Sequence, residues 1–349
     1  LTSLELRGIG GPELANLGLE SACDIHDLSV MAVEDLIRKL PSALRVRRQL
    51  LRDFRSDPPD LFLGIDSPDF NLTLERRLRL SGIPVLHLVS PTVWAWRSYR
   101  VAKIRRAVDR ILVLFPFEEG FYEERGVPAT FVGHPAAQET AGITKTSARG
   151  ELGISSSARV VSILPGSRES EIRHLAATFA GCMRVLAERK PDLHFLIPFA
   201  SNRVRQQFLD LVSLEGFADR VTLHDGRARV CLAASDGALL ASGTAALEAA
   251  LVGCPMVVAY RVSNLSYRIA STLASTRTVS MPNHLMPTPL VPEFLQQEVN
   301  EANLVPAVER LLDDDVATQK MRKGLSLIQQ DLNLDTNARI VDAILQLAR

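Results

Sequence analysis

The sequence lacks three features that would place it in familiar classes of protein. Its four cysteines among 349 residues lie far apart and form no C-x-x-C pair. This argues against a zinc site or a disulfide framework and predicts reduced, mostly buried thiols in a cytosolic protein. Forty basic side chains balance forty acidic ones, so the chain has no net positive charge that would attract nucleic acid. The longest apolar region, residues 230–260, contains charged residues and much alanine and glycine, which excludes a membrane span.

Short apolar runs alternate with amphipathic stretches along almost the whole chain. Predicted strands lie at residues 4–9, 61–65, 85–89, 111–115, 160–164, 194–197, 237–240 and 256–259, with helical patterns such as 72–80, 174–188 and 245–252 between them. Strand alternating with helix predicts parallel sheets built from βαβ units. Because the strands are apolar throughout, we expect both of their faces to be covered.

The length and composition suit two domains, each with a core of its own. The polar, small-residue stretch 138–157 precedes a new strand and predicts a boundary between them. We therefore expect an α/β architecture of two doubly wound parallel-sheet domains that face each other across a cleft, residues 1–150 and 151–335. The final helix, residues 336–349, could belong to either domain, and it could pack back on the N-terminal domain.

The stretch ASGTAALEAALVGCP, residues 241–255, passes from a strand directly into a helix. Ser242, Gly243 and Thr244 offer small side chains and free backbone N–H groups at a helix N-terminus, which is an anion-binding arrangement. Glu248 follows one turn later, where a carboxylate can accept hydrogen bonds from a ribose diol. The alternative is an ordinary N-cap, with Thr244 satisfying the first N–H groups of a buried helix.

A second strand-to-helix turn, ILPGSRESEI, occupies residues 163–172. Gly166 and Ser167 allow the backbone to approach a phosphate, and the Arg168 guanidinium supplies bidentate charge. The alternative is a surface arginine paired with Glu169 or Glu171. Because one domain contains two turns that are suited to bind an anion, we favour the interpretation that both bind one diphosphate.

In the first half, GIDSPDFN follows a predicted strand at residues 64–71. Ligands of open α/β sheets bind at the carboxyl ends of the strands, and Asp66 is the carboxylate nearest that end. We therefore expect Asp66 to face the cleft. Asp69 and Asn71 are expected to organise the turn and to cap a helix that starts at Leu72.

Three further stretches have competing structural interpretations. SPTVWAWR, residues 90–97, carries two tryptophans that cannot share one helix face, so one is expected to pack and the other to meet a ligand or partner. His134 is more typical of a structural histidine than of a catalytic one. The acidic run 313–315 is expected to be a solvated helix surface, and we identify no metal site.

Residues 33–51 form an apolar stripe surrounded by arginine and lysine. A basic amphipathic helix of this kind can lie on an anionic bilayer surface. The alternative is a helix that packs on the protein core with a solvated basic side, and Pro41 weakens the prediction of a single helix.

Taken in order and spacing, several of these stretches resemble the lipid-A-disaccharide synthase family. The likeness covers nearly the whole chain and rests on GIDSPDFNLTLERRL, VSPTVWAWR, PFEEGFYEERGVPATFVGHP, LPGSRESEI, SGTAALEAAL, GCPMVVAYR and MPN followed by VPEFLQ. The resemblance implies a glycosyltransferase of the GT-B fold class, with two Rossmann-like domains. It also implies the reaction, in which UDP-2,3-diacylglucosamine and 2,3-diacylglucosamine 1-phosphate give the β-1,6-linked lipid A disaccharide and UDP.

The resemblance also implies roles for particular residues. Asp66 would be the general base, Arg168 and the 242–244 turn would meet the charge of the leaving UDP, Glu248 would bind ribose and Asn283 would line the cleft. We expect no metal and no cofactor other than the UDP-sugar substrate. The family further implies a homodimer that contacts the anionic inner membrane peripherally from its cytoplasmic face, with no nucleic-acid partner.

Two departures from the family pattern bear on these expectations. The family begins with a further βα unit that carries a glycine-rich A-G-E-x-S-G-D turn, and nothing here matches it, so we expect an N-terminal sheet with one strand fewer and a cleft without one wall. The segment HLMPTPL, residues 284–290, replaces an Ala-Gly-Arg run.

The alternatives are another UDP-GlcNAc enzyme of this fold, namely a 2-epimerase or the peptidoglycan transferase, or an inactive nucleotide-binding fragment. An oxidoreductase is disfavoured because no G-x-G-x-x-G follows a strand.

Overall fold

The computed structural model describes residues 4–21, 33–96, 98–263, 267 and 278–348, with the backbone alone at residues 20, 33–40 and 96. The elements of the first half are, in order, β1 (Arg7–Gly8), α1 (Pro12–Asn16), β2 (Glu20–Ser21), α2 (Val33–Ser56), β3 (Phe62–Ile65), α3 (Pro68–Arg79), β4 (Val85–Leu88), α4 (Val93–Trp96), α5 (Val101–Ala107), β5 (Arg110–Val113), α6 (Pro116–Glu123) and β6 (Ala129–Phe131).

The chain continues through α7 (Pro135–Thr140), α8 (Lys145–Leu152), β7 (Arg159–Leu164), α9 (Glu169–Arg189), β8 (Leu193–Phe199), α10 (Asn202–Leu211), β9 (Val221–Asp225), α11 (Ala228–Ala234), β10 (Gly237–Ala241), α12 (Thr244–Leu251), β11 (Met256–Tyr260), α13 (Met281–Leu285), β12 (Glu293–Leu295), α14 (Glu301–Asp313), α15 (Asp315–Leu332) and α16 (Thr336–Leu347). Short 3₁₀ turns occupy Ser98–Arg100, Ala218–Arg220 and Gln296–Glu298.

Two parallel sheets form the centres of two lobes. In the first lobe the strands lie in the order β3-β4-β5-β6, while β1 and β2 form a separate parallel pair. In the second lobe the order is β12-β11-β10-β7-β8-β9, again all parallel. Strands β7 and β10 are buried almost from end to end, because helices cover both faces of the sheet. The predicted alternation of strand and helix is confirmed.

The strand order of the second sheet reverses between β7 and β10. From β7 the chain builds outward through β8 and β9, and it then returns to β10 and builds the other way through β11 and β12. This reversal is a topological switch point, and in open α/β sheets ligands bind in the crevice outside the carboxyl ends of the strands at such a point. The register pairs Leu240 with Leu164, so the turns after both strands begin side by side.

The last helix, α16, packs on the sheet of the first lobe. Ala343 belongs to a buried cluster with residues of β4, β5 and the loop after β6. Two hydrogen bonds join the same surfaces: Arg339 donates to the Phe131 carbonyl at 3.1 Å, and Arg110 donates to Gln346 at 2.6 Å. The chain therefore returns to the first lobe at its C-terminal end. The exact boundaries of the two domains remain a prediction.

Helix α2 runs without interruption from Val33 to Ser56, although Pro41 was expected to weaken it. Pro41 is exposed, and a proline removes one backbone donor without ending a helix that is held elsewhere. The C-terminal half is held by Leu50, Leu51 and Phe54, which are buried in the core of the first lobe. None of the helices in the described ranges is both long and apolar enough to cross a membrane.

Candidate active site

The chain leaves β3 through two residues with left-handed backbone. Asp66 has φ of 49° and Ser67 has φ of 45°, conformations that are uncommon outside glycine. Each costs on the order of 1 to 3 kcal/mol and persists only where the surrounding structure enforces it. The Asp66 N–H extends the sheet by donating to the Leu88 carbonyl at 2.9 Å. The Asn71 amide donates to the Asp66 carbonyl at 2.8 Å and to the Ile65 carbonyl at 3.2 Å. The turn is thus held from both sides, and the Asp66 side chain is exposed.

The helix after this turn begins earlier than predicted. It starts at Pro68 with Ser67 in the N-cap position, because proline is well suited to the first helical turn. Asp69 and Asn71 therefore lie within the helix and do not cap a start at Leu72. Asn71 does organise the turn as expected, whereas Asp69 forms an exposed ion pair with Arg100.

The neighbouring strand β4 ends in the same way. Val89 has φ of 75°, which is unfavourable for a β-branched residue, and its N–H donates to the Leu112 carbonyl at 3.1 Å. Ser90 follows, and its hydroxyl lies 2.8 Å from the hydroxyl of the buried Tyr122. Two adjacent strand ends with left-handed residues mark this edge of the sheet as a constrained surface, which is typical of functional sites.

Trp94 of SPTVWAWR is packed, whereas the environment of the second tryptophan stays a prediction. Its indole N–H donates to the carboxylate of Glu118 at 3.1 Å, and the other oxygen of Glu118 accepts the Phe115 N–H at 3.2 Å. Glu118 is only 2% exposed, and burial raises the pKa of its carboxyl from 4.5 to about 7. The side chain of Trp96 and the whole of Arg97 lie outside the described residues.

The turn after β7 places two backbone N–H groups at the carboxyl end of that strand. Gly166 has φ of 128°, and a Cβ there would lie 2.4 Å from Cβ of Glu171, so only glycine fits. The Glu171 carboxylate accepts the Ser167 N–H at 2.8 Å and the Arg168 N–H at 3.3 Å. These N–H groups therefore already hold an anionic group. The side chain of Arg168 is 80% exposed and lies 3.5 Å from Glu171, so the surface ion pair considered as the alternative is present as well.

The turn after β10 presents a helix start that no N-cap side chain satisfies. Gly243 is the N-cap residue of α12, and with φ of 157° it leaves open space where a Cβ would be. Gly243 and Thr244 are exposed, and the Ser242 hydroxyl is turned away to donate to the Val279 carbonyl at 2.7 Å. An uncapped helix N-terminus at a switch point is suited to bind an anion.

Glu248 lies one helical turn beyond that start and is partly buried. Its carboxylate accepts the Arg229 Nε–H at 3.0 Å, and Arg229 also pairs with Glu139. The hydrogen bond to Glu139, followed by that to Glu248, raises the pKa of Arg229. Arg229 engages one oxygen of Glu248, and the carboxylate can accept further hydrogen bonds from a ligand.

Asn283 is buried in α13, and its side chain is directed to the loop that follows this helix. Its amide donates to the Val291 carbonyl at 2.9 Å and to Glu293 at 2.8 Å, and its oxygen accepts the N–H groups of Leu290 and Val291. Both donors and both lone pairs are thus used, so the role seen here is to close the loop between α13 and β12. The predicted contact with substrate stays a prediction.

Two residues of this region were not identified from the sequence. Glu293 accepts the N–H groups of Val279 and Ser280 as well as the Ser280 hydroxyl, and so joins the loop after β11 to β12. Tyr260 ends β11, and burial, then the nearby Glu171, raises the pKa of its phenol, while Arg168 lowers it. Both residues fall within stretches that carry the family likeness, but a single carboxylate or phenol in an apolar run gives no signal of its own.

Two other predicted assignments concern His134 and the acidic run 313–315. His134 Nδ1 accepts the Ala136 N–H at 3.2 Å and caps α7, so the structural interpretation of this histidine holds. In the acidic run, Asp313 pairs with Lys190 and Arg159, and these hydrogen bonds lower the pKa of its carboxyl. In the part of the chain that the structure describes, no three His, Cys, Asp or Glu side chains are grouped to hold a metal ion.

Comparison with known sequences identifies the relatives of the chain. A family model described as lipid-A-disaccharide synthetase matches residues 2–343. The lipid-A-disaccharide synthase of Alkalilimnicola ehrlichii is 43% identical over 351 residues, which cover 99% of this chain and 91% of that protein. The enzyme of the same name from Cellvibrio japonicus is 41% identical over 347 residues, with 99% and 90% covered.

Comparison with solved structures identifies the fold. The UDP-GlcNAc 2-epimerase from Neisseria meningitidis, solved with bound UDP-GlcNAc, superposes with a TM-score of 0.65 at 15% identity and covers 95% of this chain and 87% of that one. The calicheamicin glycosyltransferase CalG4 gives a TM-score of 0.55 at 17% identity, with 96% and 87% covered. The predicted fold class, two Rossmann-like lobes of the GT-B type, is confirmed.

Proposed function

The chain belongs to the lipid-A-disaccharide synthase family and is a glycosyltransferase, and on this premise we propose how its residues carry out the reaction. The donor is UDP-2,3-diacylglucosamine and the acceptor is 2,3-diacylglucosamine 1-phosphate. The products are the β-1,6-linked lipid A disaccharide 1-phosphate and UDP. The 2-epimerase among the solved neighbours shares only the fold at 15% identity, so it lends no support to an epimerase reaction.

The nucleotide binds at the switch point of the second lobe. The observation that carries this proposal is the pair of turns after β7 and β10, which begin side by side at the carboxyl ends of adjacent strands. One turn holds an anionic carboxylate on its N–H groups, and the other exposes an uncapped helix start. The uncapped helix start offers free donors to one phosphate of UDP, and the N–H groups of Ser167 and Arg168 bind the other when it displaces the Glu171 carboxylate. Glu248 then lies one turn along α12, where it accepts hydrogen bonds from the ribose hydroxyls.

Asp66 acts as the general base. Its carboxylate accepts the proton of the acceptor 6-hydroxyl while that oxygen forms a bond to C1 of the donor sugar. The bond from C1 to the UDP oxygen breaks on the opposite side, and UDP leaves with the electron pair, which inverts the configuration at C1. A positioned base contributes about 10² to 10⁴ in rate, and the exposed Asp66 carboxylate on its constrained turn is suited to that role.

The negative charge of the departing UDP is met by protein groups. The Arg168 guanidinium is 80% exposed and moves from its surface ion pair with Glu171 onto a phosphate, and the N-terminus of α12 adds the partial charge of its N–H groups. Removing a single donor to a developing anion typically lowers kcat by about 10² to 10³. On this proposal the transfer needs no metal ion. Asn283 contributes to the cleft by holding the loop between α13 and β12 in place.

Peripheral contact with the cytoplasmic face of the anionic inner membrane is part of the proposal, since both substrates carry acyl chains. Arg45, Arg48 and Arg52 are exposed along one side of α2, opposite the side that packs on the core. Each basic residue near an anionic surface contributes about 1 kcal/mol of attraction. Flotation with phosphatidylglycerol vesicles is expected to carry the wild-type chain, and replacement of all three arginines by glutamine is expected to abolish it. Equal flotation of both proteins would contradict this role for α2.

We also propose a homodimer formed through the C-terminal parts. Val341 and Leu345 lie four residues apart on α16 and are 50% and 49% exposed, which leaves an apolar face on that helix. Sedimentation of the wild type is expected to give twice the chain mass, and Val341→Glu is expected to give the mass of one chain. A wild-type monomer would contradict the dimer without bearing on the transferase activity.

The decisive experiment incubates purified protein with UDP-2,3-diacylglucosamine and 2,3-diacylglucosamine 1-phosphate, with and without EDTA. Disaccharide and UDP are expected in equal amounts in both reactions. Product that disappears with EDTA would contradict metal independence alone. UDP binding without any disaccharide would indicate a nucleotide-binding fragment and overturn the proposed function.

A further inference from the structure

An aromatic contact joins the two lobes. Trp94 lies in α4 of the first lobe, and His284 lies in α13, which packs on α12 and α15 of the second lobe. Their ring centroids are 4.9 Å apart with an angle of 78° between the planes, an edge-to-face arrangement. His284 is also the first residue of the segment that departs from the family pattern.

Trp94 is fixed within its own lobe. It is 9% exposed, its indole N–H donates to Glu118, and its ring meets Phe117 edge to face at 4.9 Å between centroids. The acceptor Glu118 is itself held by the Phe115 N–H. Because these contacts come from helix α6 of the same lobe, the ring has a defined position even without the second lobe.

His284 is fixed within the other lobe. Its Nδ1 lies 3.0 Å from the Thr278 hydroxyl oxygen, and the residue follows Asn283, whose amide is fully engaged by the loop before β12. The next residue after Thr278 is Val279, whose carbonyl accepts the Ser242 hydroxyl at 2.7 Å. The His284 ring is therefore connected through two short contacts to the turn proposed to bind phosphate.

A similar connection leads from Trp94 to Asp66. Trp94 follows β4, and Leu88 at the end of that strand accepts the Asp66 N–H. We propose that Trp94 and His284 form a positioning pair that fixes the separation of the two lobes, and with it the placement of the base relative to the sugar carbon held by UDP. This inference rests on the proposed function, in which Asp66 is on one lobe and the nucleotide on the other.

The kinetic test compares His284→Ala, His284→Phe and wild type, with His194→Ala as a control at an exposed position on β8 of the same lobe. His284→Ala is expected to lower kcat by roughly 10- to 100-fold, because a displacement of about 1 Å has effects of that size. The Kd for UDP is expected to change less than about twofold, since the second lobe binds it alone. His284→Phe keeps a ring against Trp94 and is expected to recover most of the lost rate. Unchanged kcat in His284→Ala, or no recovery in His284→Phe, would overturn the pair.

A second test detects the contact without relying on activity. The chain has two tryptophans, so a Trp96→Phe background leaves Trp94 as the only one. In that background His284→Ala is expected to shift the Trp94 emission to longer wavelength and to increase its quenching by acrylamide, whereas His194→Ala is expected to do neither. An unshifted emission would overturn the contact. A wild-type chain that forms no disaccharide but shows the His284→Ala shift would contradict the proposed function and keep the contact.

Discussion

The carboxylate of Glu75 on α3 lies 2.7 Å from Nδ1 of His87 on β4, and both side chains are completely shielded from solvent. The second oxygen of Glu75 and Nε2 of His87 have no hydrogen-bond partner. Burial raises the pKa of Glu75, while the hydrogen bond to His87 lowers it. This buried pair packs against Gly64, two residues before Asp66. The strand that leads into the Asp66 turn is therefore held in place by a buried polar contact.

Gly64→Ala is expected to destabilise the first lobe. A Cβ at Gly64 would lie 1.9 Å from Oε1 of Glu75, so the carboxylate would have to leave His87 and remain buried without a partner. We expect a loss of about 2 to 4 kcal/mol in the free energy of unfolding, measured by urea denaturation. The substitution is expected to cost less in a Glu75→Ala background. Gly120→Ala is the matched control, since a Cβ there meets nothing.

Asp66→Asn is expected to lower kcat by roughly 10² to 10⁴ and to leave the Kd for UDP unchanged, because asparagine keeps the shape but cannot take the proton. Asparagine also tolerates the left-handed backbone at this position, so the turn is retained. Kinetics and UDP titration by calorimetry measure both quantities. Asp69→Asn, which loses only an exposed ion pair, is the control. Weakened UDP binding with preserved turnover would contradict the assignment of Asp66.

Gly166→Ala is expected to weaken UDP binding by about tenfold or more. Its φ of 128° is strained for alanine by about 1 to 3 kcal/mol, and the new Cβ would displace Glu171 and the N–H groups of Ser167 and Arg168. Calorimetric titration with UDP provides the measurement. Gly150→Ala, where a Cβ meets nothing, is the control. An unchanged affinity for UDP in Gly166→Ala would show that this turn does not contact the nucleotide.

Most of the predicted strands have continuous apolar character, and those that were missed are short or only partly buried. The strand predicted at residues 4–9 is present only as β1, Arg7–Gly8. Strands β6, β9 and β12 have one buried residue among them, so their composition does not indicate a buried strand. Glycine turns were recognisable because few residues fit them. Glu293 was missed because its partners, Val279 and Ser280, are brought to it by the fold from thirteen or fourteen residues away. Contacts between the lobes, such as that of Trp94 with His284, leave no pattern in a single sequence.

The role of Glu248 can be tested by removing a ligand hydroxyl as well as the side chain. Wild type is expected to bind 2′-deoxy-UDP about 10- to 100-fold more weakly than UDP, since a hydrogen bond to a charged group contributes about 1.5 to 3 kcal/mol. Glu248→Ala is expected to bind both nucleotides equally. Glu139→Ala, which removes the other partner of Arg229, is expected to keep the preference. A preference for UDP that survives in Glu248→Ala would contradict ribose recognition by this residue.

The pKa of Glu118 predicts how stability depends on pH. In the folded state it is about 7, above the ordinary value of 4.5, because the carboxyl is buried. Between these values the folded chain retains a proton that the unfolded chain has lost, so stability falls as pH rises through this window and levels off above it. The contribution is on the order of 3 kcal/mol. Tyr122, which faces Glu118, does not ionise in this range, since burial raises the pKa of its phenol.

Urea denaturation of wild type and Glu118→Gln at pH 5 and pH 7.5 measures this contribution. Glutamine cannot ionise, so the free energy of unfolding of the variant is expected to fall by about 2 to 3 kcal/mol less than that of wild type between pH 5 and pH 7.5. Loss of the carboxylate that accepts the Phe115 N–H changes the stability of the variant equally at both pH values, so it does not affect this difference. Glu123→Gln, an exposed carboxylate on the same helix, is expected to follow wild type. Parallel pH dependence of Glu118→Gln and wild type would mean that Glu118 ionises normally in the folded chain. The anchor of Trp94 would then be an ordinary carboxylate whose hydrogen bonds fully offset its burial.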